Sequence, residues 1–269
     1  MSVSHSRSAR PSAQHAQAGA TDAALIGRLS ALHPDRLAAM YAAAAEATAS
    51  LAALAKAGFN PVTAALDGAC AIEEWQHFPP GDARDPGTNS QYYYHAHAAS
   101  ERIEGEHGHF HTFVRAKRIL STPQRQPAVG GCDAPVDEAA VTHLIGISTD
   151  ASGRLIRLFT TNRWVTGEAW YDAATVIAML DHFDMTVRQP RYALNRWITA
   201  VVAMFRPQIE DLLRARDVHL MRLAAEKPGR SALEDRALHI TSQTQVDFLA
   251  QIGTIEAACA GMAVQTATR

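Results

Sequence analysis

The chain is poor in cysteine. Its 269 residues hold three, Cys70, Cys132 and Cys259, far apart and without a CxxC pair. Such spacing supplies neither a disulfide framework nor a thiolate zinc knuckle, and it points to a reducing, cytoplasmic setting. Charge is also scarce. Charged residues make up 19% of the sequence, and 25 Lys+Arg against 27 Asp+Glu leave a formal net charge of -2. That balance lacks the basic excess of a nucleic-acid binder, and it is too weak to hold a chain open by self-repulsion. No unbroken run of 18 apolar residues occurs, so no membrane span is expected. Glycine-rich phosphate loops, GxSxG elbows and HExxH pairs are missing as well. Their absence argues against nucleotide hydrolysis, serine-hydrolase chemistry and HExxH metalloprotease chemistry. The first 20 residues carry five Ser and two His but no apolar stretch, and read as a disordered tail rather than a secretory leader.

What the chain does have is an apolar fraction of 47%, enough to bury a core. The pattern predicts one α+β domain over residues 21–260, helical at 21–75, sheet-forming at 91–161 and helical again at 171–260. Thr21-Asp22 is a helix start, His33-Pro34-Asp35 a break and restart, Gly58 a stop, and Asn60-Pro61 the start of a helix to about residue 74. Residues 76–90, with Pro79, Pro80 and Pro86, read as a loop. Strands are expected at 91–97, 107–115, 141–149 and 154–161, the last two joined by the turn Asp150-Ala151-Ser152-Gly153. Between them, 118–140 reads as a long loop with three Pro and the pair Gly130-Gly131. Asp172 caps a later helix, Pro207 breaks the run 194–224 near residues 204–206, and 236–241 offers a fifth strand ahead of a helix at about 246–259. The fold class is therefore a central antiparallel sheet of four to five strands flanked by N-terminal and C-terminal helices.

One local density stands out. Five of the 13 histidines fall in residues 95–111, where an even spread would place roughly one. They lie in two segments, YYYHAH (residues 92–97) and EHGHFH (residues 106–111). Alternate residues of a strand share a face, so Tyr93, His95 and His97 form one row and His107, His109 and His111 another. A hairpin centred near Arg102 pairs His97 with His107, His95 with His109, and Tyr93 with His111. Opposed side chains then have Cβ atoms about 4.5–5.5 Å apart, close enough for the imidazoles to share a metal ion. Packed imidazoles depress one another's protonation, and neutral imidazole is a ligand for iron, zinc or copper rather than for magnesium or calcium. Glu106 is a further ligand candidate, a partner to a ligand, or simply solvated. Two histidines and a carboxylate suit non-haem iron; three histidines and a water suit zinc or copper. A haem with one histidine as axial ligand is a further alternative.

Other groups are less concentrated. Counting back from the 150–153 turn puts His143 on the apolar face with Ile145 and Ile147, as a core histidine. His77 reads as a lone loop histidine. The run TTNRWVTGE (residues 160–168) mixes hydroxyl, amide, guanidinium, indole and carboxylate groups at a strand end, as ligand loops do. Arg157 and Arg163 are candidates for binding an anion in bidentate fashion, with an Arg163–Glu168 pair as the structural alternative. Tyr93 is a candidate proton or hydrogen-bond donor beside the metal. The charges between Arg206 and Asp217 fit a solvated helix face.

The segments EWQHFPPGD, SQYYYHAH, EHGHFHTF, HLIGIS, RLFTTNRWVTGEAWYD and FRPQIEDLLRARD, spread over about residues 73–217, resemble a bacterial family of unknown function. The resemblance implies that the histidine-rich hairpin and the TTNRWVTGE loop belong to one recurring design, and it brings no activity with it. The functional expectation is a metal-dependent enzyme, oxidoreductase or hydrolase, with a transition metal ion held by His95, His97, His107, His109, His111 and Glu106. Tyr93, Arg157, Arg163 and Glu168 would serve a small anionic substrate. A metal sensor, buffer or chaperone is the non-catalytic alternative, and an interaction protein with solvent-facing histidines the third. Neither nucleic acid nor membrane is expected as a partner; a homo-oligomer stays open.

Overall fold

The computed structural model describes residues 18–69, 75–115, 119 and 140–267. Most of the expected N-terminal tail, most of the expected 118–140 loop, residues 70–74, and Cys70 and Cys132 lie outside these residues; the helix expected to reach residue 74 ends earlier, at Leu66, where Asp67 turns left-handed (φ 44°).

Six strands form one antiparallel sheet: β1 (Phe78–Asp85), β2 (Ser90–His95), β3 (Gly108–Val114), β4 (Thr142–Thr149), β5 (Leu155–Thr161) and β6 (Ile240–Gln245). Their spatial order is the chain order, β1 to β6, so every neighbour is antiparallel. Among the described residues they are accompanied by eight α-helices: α1 (Ala18–Ser30), α2 (Pro34–Lys56), α3 (Pro61–Leu66), α4 (Arg163–Thr166), α5 (Ala173–Met179), α6 (Tyr192–Met204), α7 (Arg206–Glu226) and α8 (Phe248–Ala267).

The sheet has one strand more than the expected four to five, the edge strand β1, and the expected fifth strand is the opposite edge, β6. β1 occupies the stretch read as a loop. Its prolines are tolerated because an edge strand needs only one side of its backbone for the ladder. Gly81 (φ 77°) and Asp82 (φ 63°) produce the irregularity between Phe78 and Ala83. The Asp85 carboxylate then ties β1 to the chain ahead of α6, accepting from the Thr186 and Val187 amides at 2.6 and 3.2 Å. β6 starts four residues later than expected, because the polar run 240–245 is what pairs with β5.

Local chemistry sets the helix ends. Pro34 opens α2 behind His33, whose ring accepts from the Asp35 amide, and Asn60 and Thr63 close a reciprocal capping box on α3. Asp172 caps α5 through the Thr175 amide. Pro207, placed in the first turn of α7, ends the long run at Phe205, where the break is expected. By length and composition α2 is apolar enough to cross a membrane, with a mean hydropathy of 1.4 over its best window. It is not an unbroken apolar run, because Glu46, Thr48 and Ser50 interrupt its alanines. Leu37, Met40, Ala43, Ala44, Ala47 and Leu54 on α2 are buried, in the contact region with α6 and α8.

The sheet has two different faces. Tyr92, Tyr94, Phe110, Ile145, Ile147 and Leu158 belong to the main apolar core shared with α2 and α6. The Trp197 ring of α6 lies 5.8 Å from that of Phe110. Asn195, fully buried on α6, accepts from the Tyr92 hydroxyl at 2.7 Å and donates to the Val187 and Gln189 carbonyls at 2.7 and 2.9 Å. The other face carries the histidines. Replacing Asn195 with Ala removes the partner of the buried Tyr92 hydroxyl and of two backbone carbonyls at once, so Asn195→Ala is expected to cost about 2–4 kcal/mol in urea unfolding, and Tyr92→Phe about 1–2 kcal/mol. Equal, sub-kcal effects from both would show that this bridge does not hold helix to sheet.

Candidate metal centre

The β2–β3 ladder has the register that centres on Arg102: Tyr93 faces His111 and His95 faces His109. The pleat then puts Tyr93, His95, His109 and His111 on the sheet face opposite the core. All four are buried. One ligand atom from each of His95, His109 and His111 lies within 4.8 Å of the other two. His95 Nε2 and His109 Nε2 stand 2.7 Å apart.

Glu106 sits in the turn before β3 and does not point into this group. Its Oε1 accepts from His109 Nδ1 at 2.8 Å, and both its oxygens accept from Arg157 Nη2, at 3.2 and 3.1 Å. The arrangement makes Glu106 a partner to a ligand rather than a ligand. A carboxylate acceptor keeps the proton on Nδ1, which turns the Nε2 lone pair of His109 toward His95. Burial alone would push the Glu106 carboxyl up. The His109 hydrogen bond and the Arg157 guanidinium outweigh it and hold the carboxyl at about 2. His95 Nδ1 is buried with no partner among the described residues.

Electrostatics keeps the rings neutral. Burial, then the nearby His109, His97 and His77, takes His95 down to about 2. Burial also lowers His111, with His109 and His143 adding to it, and it lowers His109 against the opposing pull of Glu106. Neutral imidazoles offer their lone pairs at no cost in proton release, which is what a transition ion needs.

The remaining expected ligands part company. His97 follows the end of β2 and stays beside the group, its ring 4.9 Å from that of His95 and 5.1 Å from that of His109. His107 does not stay. It precedes the first ladder residue of β3, and its Nδ1 meets the Tyr94 hydroxyl at 2.6 Å, with Tyr94 itself on the core face. The strict alternation that placed His107 with His109 ends where the ladder ends.

His143 is a correction in the opposite direction. Phe113 pairs with His143 and Thr112 with Ile145, so Leu144 is an extra residue in β4. A bulge of this kind reverses the alternation beyond it. His143 therefore faces Phe113 and His111, with His143 Nε2 at 3.0 Å from His111 Nδ1. Burial, with Arg216 and His109, takes its ring down to about 3. Glu168 pins the bulge, its Oε2 accepting from the His143 amide at 2.7 Å. Burial drives that carboxyl up to about 7 against the lowering effect of Arg216. His77, read as a lone loop histidine, stacks on Tyr93 at 3.6 Å and 7° while its Nδ1 meets Asp82 at 3.0 Å.

Both candidate arginines already have partners within the protein. Arg157 is buried and spends its donors on Ser148, Gln243 and Glu106. Arg163 pairs with Glu234, not with Glu168. The Tyr93 hydroxyl makes no hydrogen bond among the described residues, and its ring centroid is 5.4 Å from that of His95 and 5.1 Å from that of His111. Phe159 covers the group from β5, 5.0 Å from the His109 ring. It fits because its cross-strand neighbour is Gly146: a Cβ there would come within 2.4 Å of the Phe159 ring.

The chain belongs to a protein family described as a domain of unknown function (DUF6969), whose model matches residues 41–246. The match contains both histidine segments and all six strands, and leaves out residues 1–40 and 247–269. No curated protein and no solved structure matches the chain.

Two outcomes follow. In the metal-free protein, His95 and His143 have folded-state values below the ordinary 6.5, so the unfolded chain takes up protons first as pH falls. Stability is therefore level above pH 6.5 and declines below it, with each ring adding a slope of about 1.4 kcal/mol per pH unit. The Glu106 contribution is present above its ordinary 4.5 and is lost from there toward about 2, in the same direction. Urea midpoints at pH 7.5, 6.5 and 5.5 check this; a midpoint that does not move between 6.5 and 5.5 contradicts the neutral-ring account. Separately, Gly146→Ala is expected to cost about 1–3 kcal/mol by overpacking, and adding Phe159→Leu should recover part of it.

Proposed function

We propose that this is a metal-binding protein, and more specifically a metal-dependent enzyme, with one transition ion held by His95, His109 and His111. A single observation carries the reading: three buried, neutral imidazoles offer ligand atoms within 4.8 Å of one another, and one ring is oriented by a carboxylate. Orientation of a ligand histidine by an outer carboxylate is the usual support of such sites. Iron, zinc and copper all accept imidazole. An all-histidine set favours zinc or copper, since the two-histidine, one-carboxylate iron site would require Glu106 to leave both His109 and Arg157.

Three protein ligands leave a position for water or a small molecule, and the ion would supply Lewis acidity or an activated water there. The chain's own residues divide the other tasks. Glu106 and Arg157 hold the His109 ring. Phe159 and Phe113 exclude water from one side. The Tyr93 hydroxyl would donate to a bound molecule, with His77 stacked on its ring. An anionic substrate loses its support, because both candidate arginines are paired within the protein.

The contact between His143 and His111 favours a second reading, in which a fourth imidazole closes the shell and the protein is a metal sensor, buffer or chaperone. Cobalt substitution separates the two. An exchangeable water on the ion supports the enzyme, and a closed four-nitrogen shell supports the handler. For the metal itself, elemental analysis of protein made without a histidine tag should give one equivalent per chain. His109→Ala and His111→Ala should each fall well below that, while His107→Ala and His182→Ala keep it. Equal retention in all four variants overturns the site.

A further inference from the structure

The three rings of the triad are almost closed off from solvent, with His95 4%, His109 7% and His111 1% exposed. An ion that reaches them needs a ligand that touches both water and the triad. His97 has that position. Its side chain is 19% exposed, yet its ring lies against two triad members, 4.9 Å from His95 and 5.1 Å from His109. It stands two residues past His95, beyond the β2 ladder, so the side chain is free of the pairing that fixes the other rings. Its backbone is nonetheless anchored, since its carbonyl accepts from Arg102 Nε at 2.5 Å. Glu101 Oε2 lies 3.4 Å from His97 Nδ1 and adds a carboxylate on the solvent side. Above the ring lies the indole of Trp75, centroid 4.2 Å away. Trp75 is itself half exposed and holds a left-handed backbone angle (φ 68°), which is costly for a residue of this size.

We propose that His97 is the entry ligand of the metal centre: a surface imidazole that first takes the incoming ion, with Glu101, and passes it to His95 and His109. The inference rests on the metal reading of the triad and adds the route by which the ion arrives. The hand-over is a ligand exchange, in which one nitrogen–metal bond forms as another breaks and no electron changes place. An entry ligand lowers the barrier in both directions, so it changes rates and leaves the equilibrium alone.

Cobalt(II) alone is the probe, added to the metal-free full-length chain and followed by its visible absorption and by tryptophan fluorescence. His97→Ala and His97→Gln should each slow both uptake and release to a chelator by about tenfold, with final stoichiometry unchanged. His97→Cys, which restores a ligand, should recover the rate. Unchanged rates in the Ala and Gln variants overturn the entry role, as does a loss of stoichiometry, which would make His97 a resident ligand. Failure of the unaltered protein to take up cobalt, zinc or copper is a different result, and it overturns the metal reading itself.

Discussion

Two cross-strand pairings, Tyr93 with His111 and His95 with His109, govern the rest of the molecule. They bring the imidazoles together on one face, and they send Tyr92, Tyr94 and Phe110 to the other, where the helical core is built. A slip of one residue breaks both requirements at once, because it exchanges the faces. The apolar core thus holds the polar group in place. Burial of the aromatic row against α6 fixes the strand offset, and the strand offset fixes the distance between ring nitrogens.

The electrostatics follows from the same placement. A buried imidazolium without a counter-charge is expensive, so the rings stay neutral, and the Glu106 carboxylate is shared between His109 and Arg157. Arg157 reaches Glu106 from β5 across β4, past Ser148, with Gln243 of β6 on its other side. Strands distant in sequence therefore contribute to the orientation of a single ring. This explains why an arginine that looks like an anion-binding group in the sequence turns out to be a structural one: its fork is filled from inside the protein.

Much of the arrangement could be read from the residues. Four strands, the hairpin register, the helix caps at Asn60 and Asp172 and the break at Pro207 all carry local signals with a physical cause. The edge strands were harder. Prolines and paired glycine–aspartate disguise β1 as a loop, and the polar run of β6 has no apolar alternation to mark it. At the site, His95, His109 and His111 follow from periodicity because they lie inside the ladder. His107 does not, because periodicity stops at the ladder's end. His143 was out of reach for another reason. Its face depends on the extra residue beside it, Leu144, and nothing in the residue types there signals it. His77 arrives from a strand that the sequence conceals, so its stacking on Tyr93 could not be anticipated.

The bulge at Leu144 gives the strand a second role beyond carrying hydrogen bonds. Whether a nitrogen or an isobutyl group stands next to His111 is decided by parity, not by which amino acids are present. Were β4 drawn straight at its present length, Leu144 would occupy the position opposite Phe113 and the fourth ring would turn into the oily side of the sheet. The same letters would then spell a three-ring group with a hydrocarbon wall. Glu168, by gripping the amide at the kink, selects between two compositions of the site without touching any ion.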